Sequence, residues 1–463
     1  MEYKAQDRSK ASIAPRLIIH GGAGNITPQS ITPEKYTEFH DSLLTILSTA
    51  HRFMTEQSSF PLQVSGSASA LDTVTFAVSL LENNPLFNSG HGAVFTRDGT
   101  QEMEASVMVS RGKKKRGVGL MGLKHVKNPI KLAREMLVRG EQDLEGGNSK
   151  GAKGAQGHSQ LAHPTAERLA RDWGLEMVDK KYFFVQSRWD EHIKGLERED
   201  KGEGIVSWSH KEYIPQGTCG AVALDSEGVI AVATSTGGLT NKLPGRIGDT
   251  PTIGSGFWAE EWEQELPTKE DIQLKQPGPA LMLSDSLRGL LADCFPSLTT
   301  YQPIPVDVKL AVRCPSRLLR ATAMSGTGNG DSFLRTNAAR TASAIVKYRN
   351  TDSNKISLQD AIREVSGPGG ELERSAGNRW HKTGEGEGGM IGIELQVELD
   401  GHRITKSTSR IAEDFNCGGM WRAKVGSNGK AVMRAFQIGQ PGLENFKGEG
   451  QEYDLIDWFD ETL

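Results

Sequence analysis

The first apolar stretch, Leu17-Ile18-Ile19, runs directly into His20-Gly21-Gly22-Ala23-Gly24, the pattern of a buried strand ending in a loop too glycine-rich to be helical. Two helical periods follow. One covers about Pro33 to Met54; the other puts Leu71, Val74, Val78 and Leu81 on one face and stops at Asn83-Asn84-Pro85. Strand-like sequence returns at Ala93-Val94-Phe95 and Ala105 to Val109, and Asn128-Pro129 supplies an N-cap and first helical residue for a helix to about Val138. Residues 141–160 and 197–216 are too polar to fold alone and read as flexible linkers. Between them, Leu169, Trp173, Met177 and Tyr182-Phe183-Phe184 predict a short helical excursion packed on the main body. From Thr218 the pattern is strongly β: Ala221 to Leu224 and Val229 to Ala233 flank a turn at Asp225-Ser226-Glu227-Gly228, a hairpin. A helix over about 334–348, strands at 390–399 and 431–438, and an acidic tail with Asp454, Asp457 and Asp460 complete the chain, without an internal repeat.

Composition narrows the function classes. The 54 Lys and Arg against 58 Asp and Glu leave a net charge of −4, which makes no electrostatic case for nucleic acid or a membrane surface. No segment reaches the roughly 18 unbroken apolar residues of a membrane helix, and the N-terminus does not read as a secretory signal. Cys219, Cys294, Cys314 and Cys417 are scattered with no Cys-x-x-Cys pair, so the expectation is a reduced, cytoplasmic protein with no zinc site. The histidines show no metal-binding spacing, and no catalytic metal or organic cofactor is expected. The basic run Arg111 to Arg116 reads as a solvated hairpin turn rather than a polyanion patch.

Candidate chemistry gathers where the second polar linker meets the β hairpin. Cleavage of the Gly217-Thr218 bond would expose a threonine whose hydroxyl is a nucleophile and whose own α-amine, with a pKa of about 7.7 to 8.0, is a base. A glycine before it lets the peptide reach a strained geometry. If Asp225 pairs with Val229, Thr218 lies opposite Thr236 and their hydroxyls share a face; a one-residue slip would separate them. After Thr236-Gly237-Gly238 comes a glycine-flanked loop with Arg246 and Asp249, a guanidinium for a carboxylate and a carboxylate for an ammonium, together a clamp for the zwitterionic end of an amino acid. The small-residue loop Ser325-Gly326-Thr327-Gly328-Asn329-Gly330-Asp331 could form an oxyanion hole, and its spacing fits neither a P-loop nor a dinucleotide fingerprint.

On His20 to Gly24, Leu86 to Phe95, Gly217 to Asp225, Thr234 to Gly238 and Gly245 to Pro251, the chain resembles the plant-type asparaginase and isoaspartyl peptidase branch of the N-terminal-nucleophile hydrolases. The resemblance implies a four-layer αββα sandwich, made as one precursor that cuts itself into residues 1–217 and 218–463, one composite domain that assembles as a dimer of α/β heterodimers. It implies Thr218 as nucleophile with Thr236 as its hydroxyl neighbour, Thr327 and Gly328 as the oxyanion hole, and Arg246 and Asp249 gripping substrate carboxylate and amine. Gly330 would be a substrate contact and Asn88 a neighbour of the nucleophile. A structural sodium on backbone carbonyls of about residues 81–91 is also implied. The substrates would be asparagine or an N-terminal β-aspartyl peptide, hydrolysed through an acyl-enzyme. Asp249 sets the chain apart from the related threonine endopeptidases, and Thr236-Gly237-Gly238 from the glycosylasparaginases, which carry Thr-Asn-Gly. The stretch between Gly256 and Ser325 is far longer than the family's, so residues 257–324, with Trp258, Trp262, Cys294 and Cys314, read as an insertion. Two alternatives stay open: a threonine endopeptidase, and an uncleaved, inactive member acting as a binding protein.

Overall fold

The structure, a computed structural model, describes residues 13–56, 68–111, 117–144, 154–202, 217–265, 317–350, 355–401, 403–455 and 458. Its strands are β1 (Arg16–Gly24), β2 (Met103–Val109), β3 (Gly117–Leu123), β4 (Gln160–Ala162), β5 (Cys219–Leu224), β6 (Ile230–Thr236), β7 (Phe257–Glu265), β8 (Arg317–Gly328), β9 (Gly388–Asp400), β10 (Arg403–Phe415), β11 (Gly419–Val425), β12 (Ala431–Arg434) and β13 (Glu452–Tyr453). The α-helices are α1 (Pro33–Thr55), α2 (Ala70–Asn83), α3 (Pro129–Leu144), α4 (Thr165–Asp172), α5 (Gln186–Asp200), α6 (Gly330–Thr336), α7 (Ala338–Tyr348), α8 (Leu358–Ser366) and α9 (Glu371–Ala376). The first sheet runs β13-β12-β11-β1-β5-β6-β2-β3-β4, antiparallel apart from β3 with β4; the second runs β10-β9-β8-β7. The chain is of mixed α/β architecture.

Local chemistry sets the helix starts. Thr32 caps α1 by accepting from Lys35 N, with Pro33 opening the helix, and Ser69 caps α2 by accepting from Asp72 N. Ser357 and Asp360 form a reciprocal capping box on α8. The apolar faces of α1, α2 and α3 pack on one face of the first sheet, where Phe39 stacks on Trp421 at 4.5 Å and Tyr36 on Phe436 at 5.6 Å. Burying each such side chain contributes about 1.5–3 kcal/mol. On the second sheet, Met324, Met390 and Ala412 pack with α7 and α8 through residues such as Ala342, Val346, Ile362 and Val365.

Two compact units divide the chain, the larger made of 12–262, 320–396 and 408–463 and the smaller of 1–11, 263–319 and 397–407. In the smaller unit Arg317 pairs with Glu263 at 2.9 Å and donates to Gly401 O at 3.1 Å.

Several expectations need correction. Residues 93–95 form no strand: Val94 N donates to the Asn88 side chain and Phe95 O accepts from Asn241 N, so loop contacts take the groups a ladder would use. The helix expected over 334–348 is two, broken at Asn337, whose left-handed φ of 47° and N–H bonds to Phe333 O and Leu334 O end α6. Helix α3 continues to Leu144 and β4 begins at Gln160, and α5 reaches Asp200, so both polar linkers are shorter than composition suggested. Their middles, 145–153 and 203–216, lie outside the described residues, as do 112–116 of the basic run, 266–316, Asp457 and Asp460. The stretch read as an insertion opens on β7 and closes on β8. Strand 431–438 ends at Arg434, and α8, β10 and β11 were not anticipated. Cys219 and Cys417 are buried free thiols. Among the described residues no helix is long and apolar enough to cross a membrane.

Candidate active site

The hairpin has the anticipated register. Every β5–β6 pair from Leu224↔Ile230 to Cys219↔Ser235 follows from Asp225 N bonding Val229 O, so Thr218, one residue ahead of the ladder, stands opposite Thr236. On the far side of β6, Thr236 pairs with Glu104 of β2. Directly paired residues project from the same face, so Thr218, Thr236 and Glu104 make one row across three strands. Cys219 and Ser235 face the other way, where Ser235 Oγ bonds the buried Glu82 of α2 at 2.7 Å. Burial raises the Glu82 carboxyl to about 8, against the lowering effect of that hydrogen bond and of Ile130 N.

Thr218 is buried, and its hydroxyl lies 3.1 Å from the Thr250 hydroxyl. The Thr236 hydroxyl accepts from Gly238 N at 3.0 Å. Asn88 is a staple between loops: its Oδ1 accepts from Val94 N at 3.1 Å and its Nδ2 donates to Gly238 O at 2.8 Å. It thus holds the turn after Thr236 rather than presenting a free amide.

The His20–Gly24 segment, expected as a loop, is instead the end of strand β1, held by pairing with β11, and it passes against the Gly217-Thr218 step. A bulge between His20 and Gly22 breaks the β1–β11 register. A Cβ on Gly217 would stand 2.2 Å from Gly22 Cα and 2.5 Å from Ala23 N, so only glycine fits there. Ala23 N donates to the Thr327 hydroxyl at 3.1 Å, which brings the end of β8, a strand through Gly328 where a loop was expected, beside the same bond. His20 Nε2 and Ser325 Oγ are 2.7 Å apart. Burial lowers the His20 pKa to about 3, against the raising effect of a backbone hydrogen bond with Thr218, so the ring is neutral.

Arg246 and Asp249 are brought together with Gly330. A Cβ on Gly330 would lie 2.6 Å from Asp249 Oδ1 and 3.0 Å from Arg246 Nη2, so a side chain there would fill the space between the two charges. Asp249 Oδ2 and Arg246 Nε and Nη2 are buried with no hydrogen-bond partner among the described residues, although Arg246 Nη2 is 3.2 Å from the exposed Asp331 carboxylate. Burial raises the Asp249 carboxyl to about 7, opposed by Arg246 and reinforced by Glu104 and Asp331. Two glutamates at the start of β2 fasten this loop, Glu102 just ahead of the strand accepting from Gly245 N at 2.7 Å and Glu104 within it from Gly248 N at 2.9 Å. The buried Lys242 donates to Glu102 O at 2.7 Å. Helix α5 adds a second hold. His192 bonds Asn241, which sits at φ 59°, and Arg188 donates to Leu86 O at 2.8 Å and Gly92 O at 3.0 Å.

A row holding a buried threonine, beside an unsatisfied Arg-Asp pair with glycines at its mouth, can attack an amide carbon and hold a zwitterion. The sequence profile of a family described as Asparaginase matches residues 13–263. The chain belongs to the asparaginase family. It is similar to the isoaspartyl peptidase of Escherichia coli strain K12, 35% identical over 248 residues that cover 52% of this chain and 67% of that protein. The plant-type L-asparaginase of Pyrococcus abyssi strain GE5 is 34% identical over 249 residues, 53% of this chain and 70% of that protein. The isoaspartyl peptidase of Salmonella typhimurium strain LT2 aligns over 412 residues at 29% identity, 88% of this chain and 94% of that protein. This asparaginase-family member is a hydrolase.

Thr250, Glu104 and Glu82 were given no role from sequence. The usable signal for Glu104 was a carboxylate inside the run Met103 to Val109, apolar apart from it and Ser106, and for Glu82 an acid next to the buried face of α2.

Proposed function

We propose that this hydrolase cleaves the β-amide of L-asparagine and the isoaspartyl bond of N-terminal β-aspartyl peptides, with Thr218 as nucleophile after the chain cuts itself between Gly217 and Thr218. The observation that carries the reading is the Arg246-Asp249 pair, whose buried donors and acceptor on either side of Gly330 have no hydrogen-bond partner among the described residues, Arg246 Nη2 having only the ion pair with the exposed Asp331. Both substrates offer the same free α-amine and α-carboxylate to such a clamp, and in both the bond cut is an amide of the β-carboxyl. Arg246 takes the carboxylate and Asp249 the ammonium, while Gly330 leaves room for them.

The freed α-amine of Thr218 takes the hydroxyl proton as the oxygen attacks the amide carbon. Thr327 and Gly328 receive the developing oxyanion. Collapse expels ammonia, or the amine of the peptide's remainder, with a proton from that α-amine, leaving an ester on Thr218. Water then hydrolyses the ester by the same steps in reverse order of partners. Thr236, opposite Thr218, and Thr250, 3.1 Å from its hydroxyl, orient the nucleophile.

The same reading extends to a four-layer αββα sandwich, supported by the helices on the first sheet, those on the second, and the His20–Ser325 and Ala23–Thr327 contacts between β1 and β8. It includes a dimer of cleaved protomers. A structural sodium belongs to it as well: the carbonyls of Glu82, Pro85 and Phe87 each fall within 2.7 Å of where a Cβ of Gly90 or Gly92 would stand, so the turn gathers backbone oxygens of the type that ion takes.

The test is a Thr218→Ala variant followed by denaturing gel and ammonia release from asparagine. Wild type should give fragments of roughly 24 and 27 kDa and release ammonia, and the variant should stay full length and inactive. Fully active enzyme that retains the Gly217-Thr218 bond would overturn the mechanism.

A further inference from the structure

Four largely buried charges make up the clamp and its immediate surroundings. Lys242, Arg246 and Asp249 come from the loop after β6, and Glu104 from β2. Their neighbours are otherwise answered. Glu102 is paired with Lys124 at 3.0 Å, and Asp331, although 3.2 Å from Arg246 Nη2, keeps 57% of its side chain in solvent, where its charge is largely screened. Two cations and two anions remain in the low-dielectric interior.

Glu104 does more than fasten the loop. Its Oε1 accepts from Gly248 N, while Oε2 is buried with no hydrogen-bond partner among the described residues. A Cβ on Gly248 would lie 3.0 Å from that oxygen and 2.8 Å from Arg246 Nη1, so carboxylate and guanidinium flank one point. Burial holds the Glu104 carboxyl above its ordinary value, Lys242, the Gly248 N–H and Arg246 opposing the rise only in part and Asp331 adding to it.

We propose that Glu104 is a specificity-determining residue: it supplies the second negative charge that makes the clamp neutral, matching it to a zwitterionic α-amino acid head rather than to the anion lacking the amine. This rests on the clamp reading of Arg246 and Asp249. With Glu104 uncharged the pocket carries a net positive charge, which favours a ligand bearing carboxylates alone. Removing the Lys242 charge has the opposite sign.

L-Aspartate and succinate differ by the α-ammonium alone, so the ratio of their dissociation constants measures this selectivity without requiring turnover. The experiment is calorimetric titration of both into the enzyme at pH 8.5, above the value to which Asp249 is raised. Glu104→Gln should lower the preference for aspartate about tenfold, the scale of one charge-assisted contact. Lys242→Met should raise it, and Glu104→Asp should keep it near the wild-type value. A packing defect weakens both ligands alike and leaves the ratio unmoved. An unmoved ratio in folded Glu104→Gln, or movement in the same direction in Lys242→Met, overturns the proposal; if Glu104→Gln does not fold, Lys242→Met decides alone. Asp249→Asn is the control for the underlying reading. If it leaves the ratio intact the clamp itself is wrong, whereas loss there with none in Glu104→Gln removes only the role of Glu104.

Discussion

Replacing Asp249 with asparagine should stabilise the folded chain at high pH while weakening substrate binding. Burial raises the Asp249 carboxyl from 3.8 to about 7. At about 1.36 kcal/mol per pH unit, the ionised form is then ~4 kcal/mol less favourable in the folded chain than in the unfolded one. The sign follows from proton counts. Below 3.8 both states hold the proton and nothing is lost; between 3.8 and about 7 the unfolded chain releases it first, so stability falls as pH rises; above that range the whole amount is gone. The substituted asparagine carries no charge, so the advantage of the variant should be absent near pH 4, grow through neutrality and level off above it. With roughly 2.1 cal/mol/K of unfolding entropy per residue, ~4 kcal/mol corresponds to a Tm gain of about 4 °C for a chain this long. The assay is a thermal melt of wild type and variant at pH 4.5 and 8.5, with KM for asparagine measured across the same range. In wild type KM should climb about tenfold per unit below the titration of Asp249, because the neutral carboxyl cannot answer an ammonium; in the variant KM should be high and flat. A Tm gain equal at both pH values, or none at pH 8.5, would refute the claim that a desolvated ionised carboxylate is held there.

Two further outcomes test neighbouring parts. Gly217→Ala puts a Cβ 2.2 Å from Gly22 Cα, so the His20–Gly24 end of β1 must move off the scissile bond; self-cleavage, followed on a denaturing gel over time, should slow by about tenfold or more, and a wild-type rate would show that this segment does not hold that bond. Arg320→Met strands Glu394, whose carboxylate takes Arg320 at 2.7 Å and Leu358 N at 3.1 Å within the core. The loss should be about 3–5 kcal/mol in chemical denaturation, and a change under about 1 kcal/mol would mean that the pair is not desolvated as described.

The amino-acid sequence alone determined whatever depends on near neighbours. Helix α1 starts at Pro33 as expected, and Thr32 and Ser69 cap α1 and α2 because a cap needs only the next few amides. The Asp225–Gly228 turn set the hairpin register, and with it the Thr218–Thr236 row, because a short loop leaves the strands no freedom to slip. Arg246 and Asp249 were legible because only two residues separate them and glycines flank them. Tertiary structure decided the rest. That Glu104 rather than some other acid faces Arg246 follows from β2 pairing with β6 and from its bond to Gly248, 144 positions away. The partnership of Thr218 with Thr250 depends on how the loop after β6 folds back over its own strand. Residues 93–95 look like a strand because their side chains are buried, yet Asn88 and Asn241 claim their backbone groups first. Asn337 breaks a helix whose periodicity runs on, since a left-handed residue costs little in the pattern and everything in direction. Hydrogen-bond caps and tight turns are short-range and written locally, whereas the pairing of strands and the desolvation of charges exist only once distant segments have closed around one another.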